Sequence, residues 1–456
     1  MVATSGSSLF ANKKLLKYVV VTVDYSFVLR FRLLALKYGA DLCYTEEIID
    51  QKLLSSTRVV NNILNTVDYA LVDDIVLRIA PDEIGRCVLQ IGTNSGTKAA
   101  QVARMVGADV AAIDVNMGCP KQFSIHCGMG AALLLQVDKV KEILNSLVGV
   151  SQVPVSCKIR VLDDVGHIDP INFELSATLN LVRVIENCGV AAIAVHGRRR
   201  DERDPHPCRI DEIREIARIV GIPVIANGGS GDISCYDDIL KFRSDTGTSS
   251  VMIARKALSC PSVFRREGVL QFDEDVRNFL ELACECDENY TAIKYVVQRM
   301  LGSNQDRDPR GRETVLAGSV QEICRAWGCE EKYEKCRRDR FRKQNKRVFS
   351  NEISDYEYYD VTFPQKRLKD AKNASATPKC ILFNYCKEVN AEKPVYSSHL
   401  RQQDKRFEGS VEVLGKKFRS RKGQPNTRMA EQVAALAALI GLNLRHLLKG
   451  DWEERQ

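Results

Sequence analysis

Val110-Ala111-Ala112-Ile113-Asp114-Val115-Asn116-Met117-Gly118-Cys119-Pro120 reads as a short buried strand that ends on a polar residue and breaks into a loop. Gly118 permits close backbone approach, and Pro120 restrains the chain just after the cysteine. Cys119 is thereby fixed on a loop beyond a strand end. A thiol with an ordinary pKa of about 8.5 is largely protonated at neutral pH, so it can serve as a general acid.

The same grammar extends in both directions along the chain. Short β-branched runs recur at 18–23, 41–44, 87–91, 110–116, 153–159, 191–196, 223–227 and 249–254. Stretches with 3.6-residue periodicity separate several of them, at 98–107, 138–147, 177–188 and 211–220. Alternating strands and helices predict an α/β fold with a parallel sheet and right-handed crossovers. Eight strands in about 250 residues predict a (β/α)8 TIM barrel rather than an open sheet. A Rossmann fold is disfavoured because no Gly-x-Gly-x-x-Gly follows an early strand.

Polar residues collect where such a barrel builds its site. Asn116, Lys158, His196, Asn227 and Arg255 each lie at or just beyond the end of an apolar run. One such residue could merely cap a strand, but several together point to a site on the C-terminal face.

At 456 residues the chain calls for two or three domains. The barrel is expected over 1–268, a small helical domain over 269–330, a basic linker over 331–372 and a further domain over 373–448. That last domain reads α-β-β-β-α, with helices at 377–389 and 429–439. The 16 cysteines are scattered without paired zinc spacing, so reduced thiols and no metal are expected. No signal peptide and no membrane span are evident, so a cytoplasmic location is expected. The net charge of +7 is concentrated late: residues 371–450 hold 15 Lys/Arg against 6 Asp/Glu.

Asn116–Pro120, followed by Gly128-Met129-Gly130-Ala131, resembles the active-site motif of the tRNA-dihydrouridine synthases. The resemblance is to the dihydrouridine synthase 2 type, which carries a C-terminal double-stranded-RNA-binding domain. It runs from about residue 33 to 439 in the same domain order. It implies an oxidoreductase that reduces uridine in the tRNA D-loop, at position 20, using FMN with NADPH as reductant, and working as a monomer on tRNA.

In that family's chemistry hydride reaches C6 of the uracil and the motif cysteine, here Cys119, protonates C5. The resemblance gives Asn116 the uracil edge and makes Arg160 and Arg198 substrate contacts. Gln90, Lys158 and His196 become flavin contacts, with Lys158 the cation beside the reduced ring. Asn227-Gly228-Gly229-Ser230 and Ala254-Arg255 supply the backbone donors a flavin phosphate requires.

In the C-terminal domain, Lys379, His399, Gln403, Lys416, Lys417, Arg419, Arg421, Lys422 and Arg428 are the expected RNA contacts. The sequence departs from the family pattern in three places. Residues 21–30 lack the Pro, Met and Gly that normally bring the first strand's end beneath the flavin ring. Ile293 stands where an Asn is expected, and Arg428 is the sole cation at the last helix start. The first departure motivates a second reading, an RNA-binding protein of this family with an impaired flavin site.

Overall fold

The computed structural model describes residues 19–20, 29–71, 74–162, 176–203, 206–287, 290–348, 356–359, 361, 377–400, 406–420, 422–424 and 426–448. The chain forms two compact units, one holding residues 1–71 and 75–342, the other built on 343–456.

In the first unit eight parallel strands close on themselves. They are β1 (Val19–Val20), β2 (Leu42–Tyr44), β3 (Cys87–Gly92), β4 (Ala112–Asn116), β5 (Val155–Arg160), β6 (Ala192–His196), β7 (Val224–Asn227) and β8 (Ser250–Ile253). Each pairs with the next, and β8 pairs back to β1, so the sheet is a closed barrel. All eight predicted strands are present. The departure at residues 21–28 lies outside the described residues, while Leu29 and Arg30 open the helix Leu29–Lys37.

Strand alternation explains why these residues make a barrel. Side chains on a strand point alternately to its two faces. On β4, Ile113 and Val115 pack outward into the main core under the helices, and on β6 Ile193 and Val195 do the same. The opposite positions, Ala112, Ala192 and Ala194, fill the lower interior with Leu42, Tyr44, Val88, Ile225 and Met252. The same parity sends Gln90, Asp114, Asn116, Lys158, Arg160, His196 and Asn227 inward, toward the C-terminal ends. Cross-strand register aligns Asn116 with Lys158, Arg160 with His196 and His196 with Asn227. The apolar floor and the polar mouth follow from this pattern.

Helices Gly96–Val106, Val137–Val148, Ser176–Asn187 and Ile210–Ile219 fall where periodicity placed them. An antiparallel sheet of Thr57–Asn61, Thr66–Ala70 and Ile75–Ile79 is inserted between β2 and β3. Its first turn places Asn65 at φ +55°, a left-handed conformation that asparagine tolerates. The helical region holds Phe272–Glu285 and Tyr290–Leu301. Two further helices follow, Pro309–Leu316 and Val320–Ala326. Ser319 divides them by accepting a hydrogen bond from the Glu322 amide at 3.2 Å, an N-cap.

The stretch expected as a linker holds regular structure. Helix Glu330–Val348 continues well into it, and β9 (Tyr356–Tyr358) joins the sheet of the second unit. There β9 pairs in parallel with β12 (Lys416–Arg419), which runs antiparallel to β11 (Phe407–Val413), itself antiparallel to β10 (Val395–Leu400). Helices Pro378–Glu388 and Thr427–Gly441 complete the unit, capped by Thr377 and Asn426. No helix among the described residues is long and apolar enough to cross a membrane.

Candidate active site and RNA-binding domain

The loop after β4 is built by its own side chains. Asn116 Oδ1 accepts from the amides of Gly118 and Cys119, both at 3.0 Å. Its Nδ2 donates to Gln90 Oε1 at 3.1 Å, and Gln90 Nε2 donates to Asp114 Oδ2 at 2.9 Å. Asp114 also accepts from Ser156 Oγ at 2.6 Å. Burial lifts the Asp114 carboxyl to about 6, against the pull of those two donors and of Lys158. Asn116 and Gln90 therefore brace the cysteine loop. Any contact of Asn116 with a bound base falls to its remaining amide hydrogen.

Two close approaches fix Cys119 further. A Cβ on Gly118 would lie 3.3 Å from Arg160 Cγ, and Arg160 Nε donates to Gly118 O at 2.9 Å. Gly130, at φ +58°, lies against the cysteine, and a Cβ there would meet Cys119 O at 2.6 Å and Cys119 Cβ at 2.9 Å. Gly130→Ala is expected to destabilise the protein by about 1–3 kcal/mol in urea unfolding. Displacing the thiol by about 1 Å should also lower turnover on the order of a hundredfold. Unchanged stability and turnover would remove Gly130 from this role.

Charge at the mouth is strongly positive. Lys158 is 9% exposed, and among the described residues its ammonium makes no hydrogen bond or close ion pair, with Asp114 and Glu47 as its anionic neighbours. Burial, then the neighbouring Arg160, lowers it from 10.5 to about 8. His196 is held far below the ordinary imidazole range by burial and by the charges of Lys158, Arg160, Arg198 and Arg255. It is neutral at every ordinary pH. A buried ammonium, still mostly charged at neutral pH, beside a neutral imidazole suits an anionic or electron-rich ring.

Arg160 and Arg198 are engaged mainly with backbone. Arg160 Nη1 donates to Arg199 O at 2.7 Å; Arg198 donates to His206 O at 2.7 Å and Gly228 O at 2.9 Å. They clamp the loops after β6 and β7. Asn227 Nδ2 donates to Met252 O at 2.8 Å and ties β7 to β8. Gly228, at φ +121°, opens the turn Gly229–Gly231, and Ala254 precedes the short helix Arg255–Ser259. Sequence reasoning missed Asp114 as a brace and Glu47, which enters the mouth after β2. An acid within the apolar β4 was the available signal for Asp114.

In the second unit, Lys379 is paired with Glu431 at 2.5 Å and lies over the Tyr396 ring. His399 and Arg419 bracket Glu408 at 3.5 and 3.1 Å. Lys416 pairs with Glu357 at 3.2 Å, Lys417 and Arg419 lie over the Tyr356 ring, and Lys422 and Arg428 are exposed. Gln403 and Arg421 lie outside the described residues. No group of His, Cys, Asp or Glu among the described residues could hold a metal ion.

Fold and mouth together define a TIM-barrel protein with a thiol loop above a cationic pocket, joined to an α-β-β-β-α unit. The family model of dihydrouridine synthase (Dus) matches residues 24–310, and that of the double-stranded RNA binding motif matches 378–442. The chain belongs to the dihydrouridine synthase family. It is 35% identical over 317 residues to the tRNA-dihydrouridine(20) synthase [NAD(P)+] of Schizosaccharomyces pombe, covering 67% of this chain and 63% of that one. To the enzyme of the same name from Saccharomyces cerevisiae it is 34% identical, over 59% of this chain and 73% of that one. A crystal structure of a tRNA-dihydrouridine(20) synthase dsRBD domain aligns at 28% identity and TM-score 0.18, covering 20% of this chain and 93% of that one.

Proposed function

We propose that this chain reduces a uridine of tRNA to 5,6-dihydrouridine, with FMN as resident cofactor and NADPH as reductant. The observation that carries the reading is a braced thiol, Cys119, sharing one mouth with the buried ammonium of Lys158, which makes no close ion pair among the described residues. Those residues fit a flavin: the buried cation lacks the anionic partner that a reduced isoalloxazine provides. When bound, the flavin supplies the hydride. Lys158, Gln90 and His196 would hold its ring, and the turns at Asn227–Gly229 and Ala254–Arg255 its phosphate. Cys119 holds the proton destined for C5, on a loop that Asn116 keeps fixed. Arg160 and Arg198 shape the entrance for the substrate strand. D-loop position 20, a cytoplasmic location and a monomeric state complete the proposal. The relatives' names and the RNA-binding motif support the choice of tRNA as substrate.

The test is direct. Purified protein should carry flavin absorption and convert uridine to dihydrouridine in tRNA given NADPH. A colourless protein that added FMN does not reconstitute would favour the RNA-binding reading instead. RNA engagement is tested separately with the Lys416→Ala, Lys422→Ala, Arg428→Ala triple variant. It should bind tRNA at least tenfold more weakly at physiological salt. The slope of log K against log salt should flatten by about 3, as expected for three lost phosphate contacts on a duplex. An unchanged slope would remove these cations from the interface.

A further inference from the structure

Glu47 follows β2 in the run Thr45-Glu46-Glu47. Its Oε1 is buried and makes no hydrogen bond. The end of β3 makes room for it: a Cβ on Gly92 would lie 2.7 Å from that oxygen. The carboxyl is thus seated against glycine backbone at the end of β3, the strand that pairs with β4, from which the Cys119 loop departs, and Cys119 is among its electrostatic neighbours.

We propose that Glu47 is the positioning residue for the acid of this site, a fixed negative charge placed where a Cys119 thiolate would form. The proposal rests on Cys119 being the proton donor. A carboxylate beside a thiol opposes its ionisation by like-charge repulsion, so the proton stays on sulfur until a better acceptor arrives. This matters because the mouth is otherwise cationic. Lys158, Arg160 and Lys121 all surround the Cys119–Glu47 pair, and without Glu47 they would favour the thiolate, which cannot donate. Consistent with that balance, the thiol stands above its ordinary value through burial and then Glu47. Glu47 is itself raised by burial, opposed by Cys119, Lys121 and Lys158.

The experiment is iodoacetamide alkylation of the whole protein across pH, read by peptide mass mapping at Cys119, with Cys208 as the internal comparison. It needs neither flavin nor turnover. Wild type, Glu47→Gln and Glu47→Asp are compared. Glu47→Gln should move the Cys119 midpoint down by about one pH unit, tenfold faster alkylation at a fixed pH below it. Glu47→Asp, which keeps the charge, should remain nearer wild type, and Cys208 should not move. The alkaline limb of turnover should shift down with the thiol in Glu47→Gln. Equal Cys119 midpoints in all three proteins would overturn the proposal. That outcome, in a wild type that forms dihydrouridine, removes Glu47 alone. A wild type that forms none while its Cys119 midpoint still depends on Glu47 removes the catalytic reading and leaves the electrostatic pairing standing.

Discussion

Cys119→Ala should abolish dihydrouridine formation, with a loss of about 10² to 10⁴ in the reductive step and no loss of flavin or tRNA binding. The expectation follows from where the thiol sits. Its amide is held by Asn116, its carbonyl accepts from the Ala131 amide at 2.9 Å, and Gly130 lies against its Cβ. These contacts belong to the backbone and Cβ, which alanine keeps, so the loop should persist while only the sulfur is lost. Removing a proton donor leaves hydride transfer without a partner at C5, so the uracil anion has no route forward at a useful rate. The measurement is single-turnover reoxidation of the reduced protein by tRNA, with dihydrouridine counted by mass. The wild-type rate should fall as pH rises through the thiol's elevated pKa, since the acid must be protonated to act. The residual rate of Cys119→Ala should lack that limb. A variant that turns over at the wild-type rate would exclude Cys119 as the donor.

Much of this arrangement is legible in the amino acids because a barrel strand encodes both faces. In Ala192-Ile193-Ala194-Val195-His196 the outward residues are large aliphatics and the inward ones small, ending in the functional histidine. The same rhythm placed Asn116, Lys158 and Asn227 at the mouth. What stayed hidden depends on contacts between distant segments. Arg160 and Arg198 read as substrate cations, yet their partners are carbonyls of loops some 8 to 42 residues away, which carry no side-chain signature. Glu47 belongs to no motif, and only the folded approach of the end of β3 seats its carboxyl against Gly92. The inserted sheet was hidden for another reason. Its first strand, Thr57–Asn61, is mostly exposed and carries no sustained apolar alternation. Helix Glu330–Val348 is so highly charged that its composition resembled a linker.

Lys158→Met should separate stability from function in opposite directions. Lys158 is charged in the unfolded chain up to its ordinary 10.5 but is lowered to about 8 in the fold. Between those values the unfolded state binds more protons, so stability contributed by this group rises with pH across roughly 8 to 10.5. Below 8 both states are protonated and the burial penalty is present in full, on the order of 3 kcal/mol for a shift of this size. Methionine fills a similar volume without the charge, so the flavin-free variant should be more stable than wild type at pH 7. The net gain should be smaller, about 1–3 kcal/mol, because buried Asp114 loses a nearby cation that favours its ionised form. The advantage should shrink as the wild type is titrated toward pH 10, where its own lysine is discharged. Flavin binding should move the other way, at least tenfold weaker, since the ammonium is the buried positive charge facing the ring's expected place. Urea unfolding of the flavin-free proteins at pH 7 and 10, with FMN titration at pH 7, tests both arms. A variant less stable than wild type at pH 7 would mean that Lys158 is a structural cation. A variant that holds FMN as tightly as wild type would remove it from the flavin site. Greater stability with lost flavin would mark Lys158 as a group retained at the expense of the fold because the cofactor needs it.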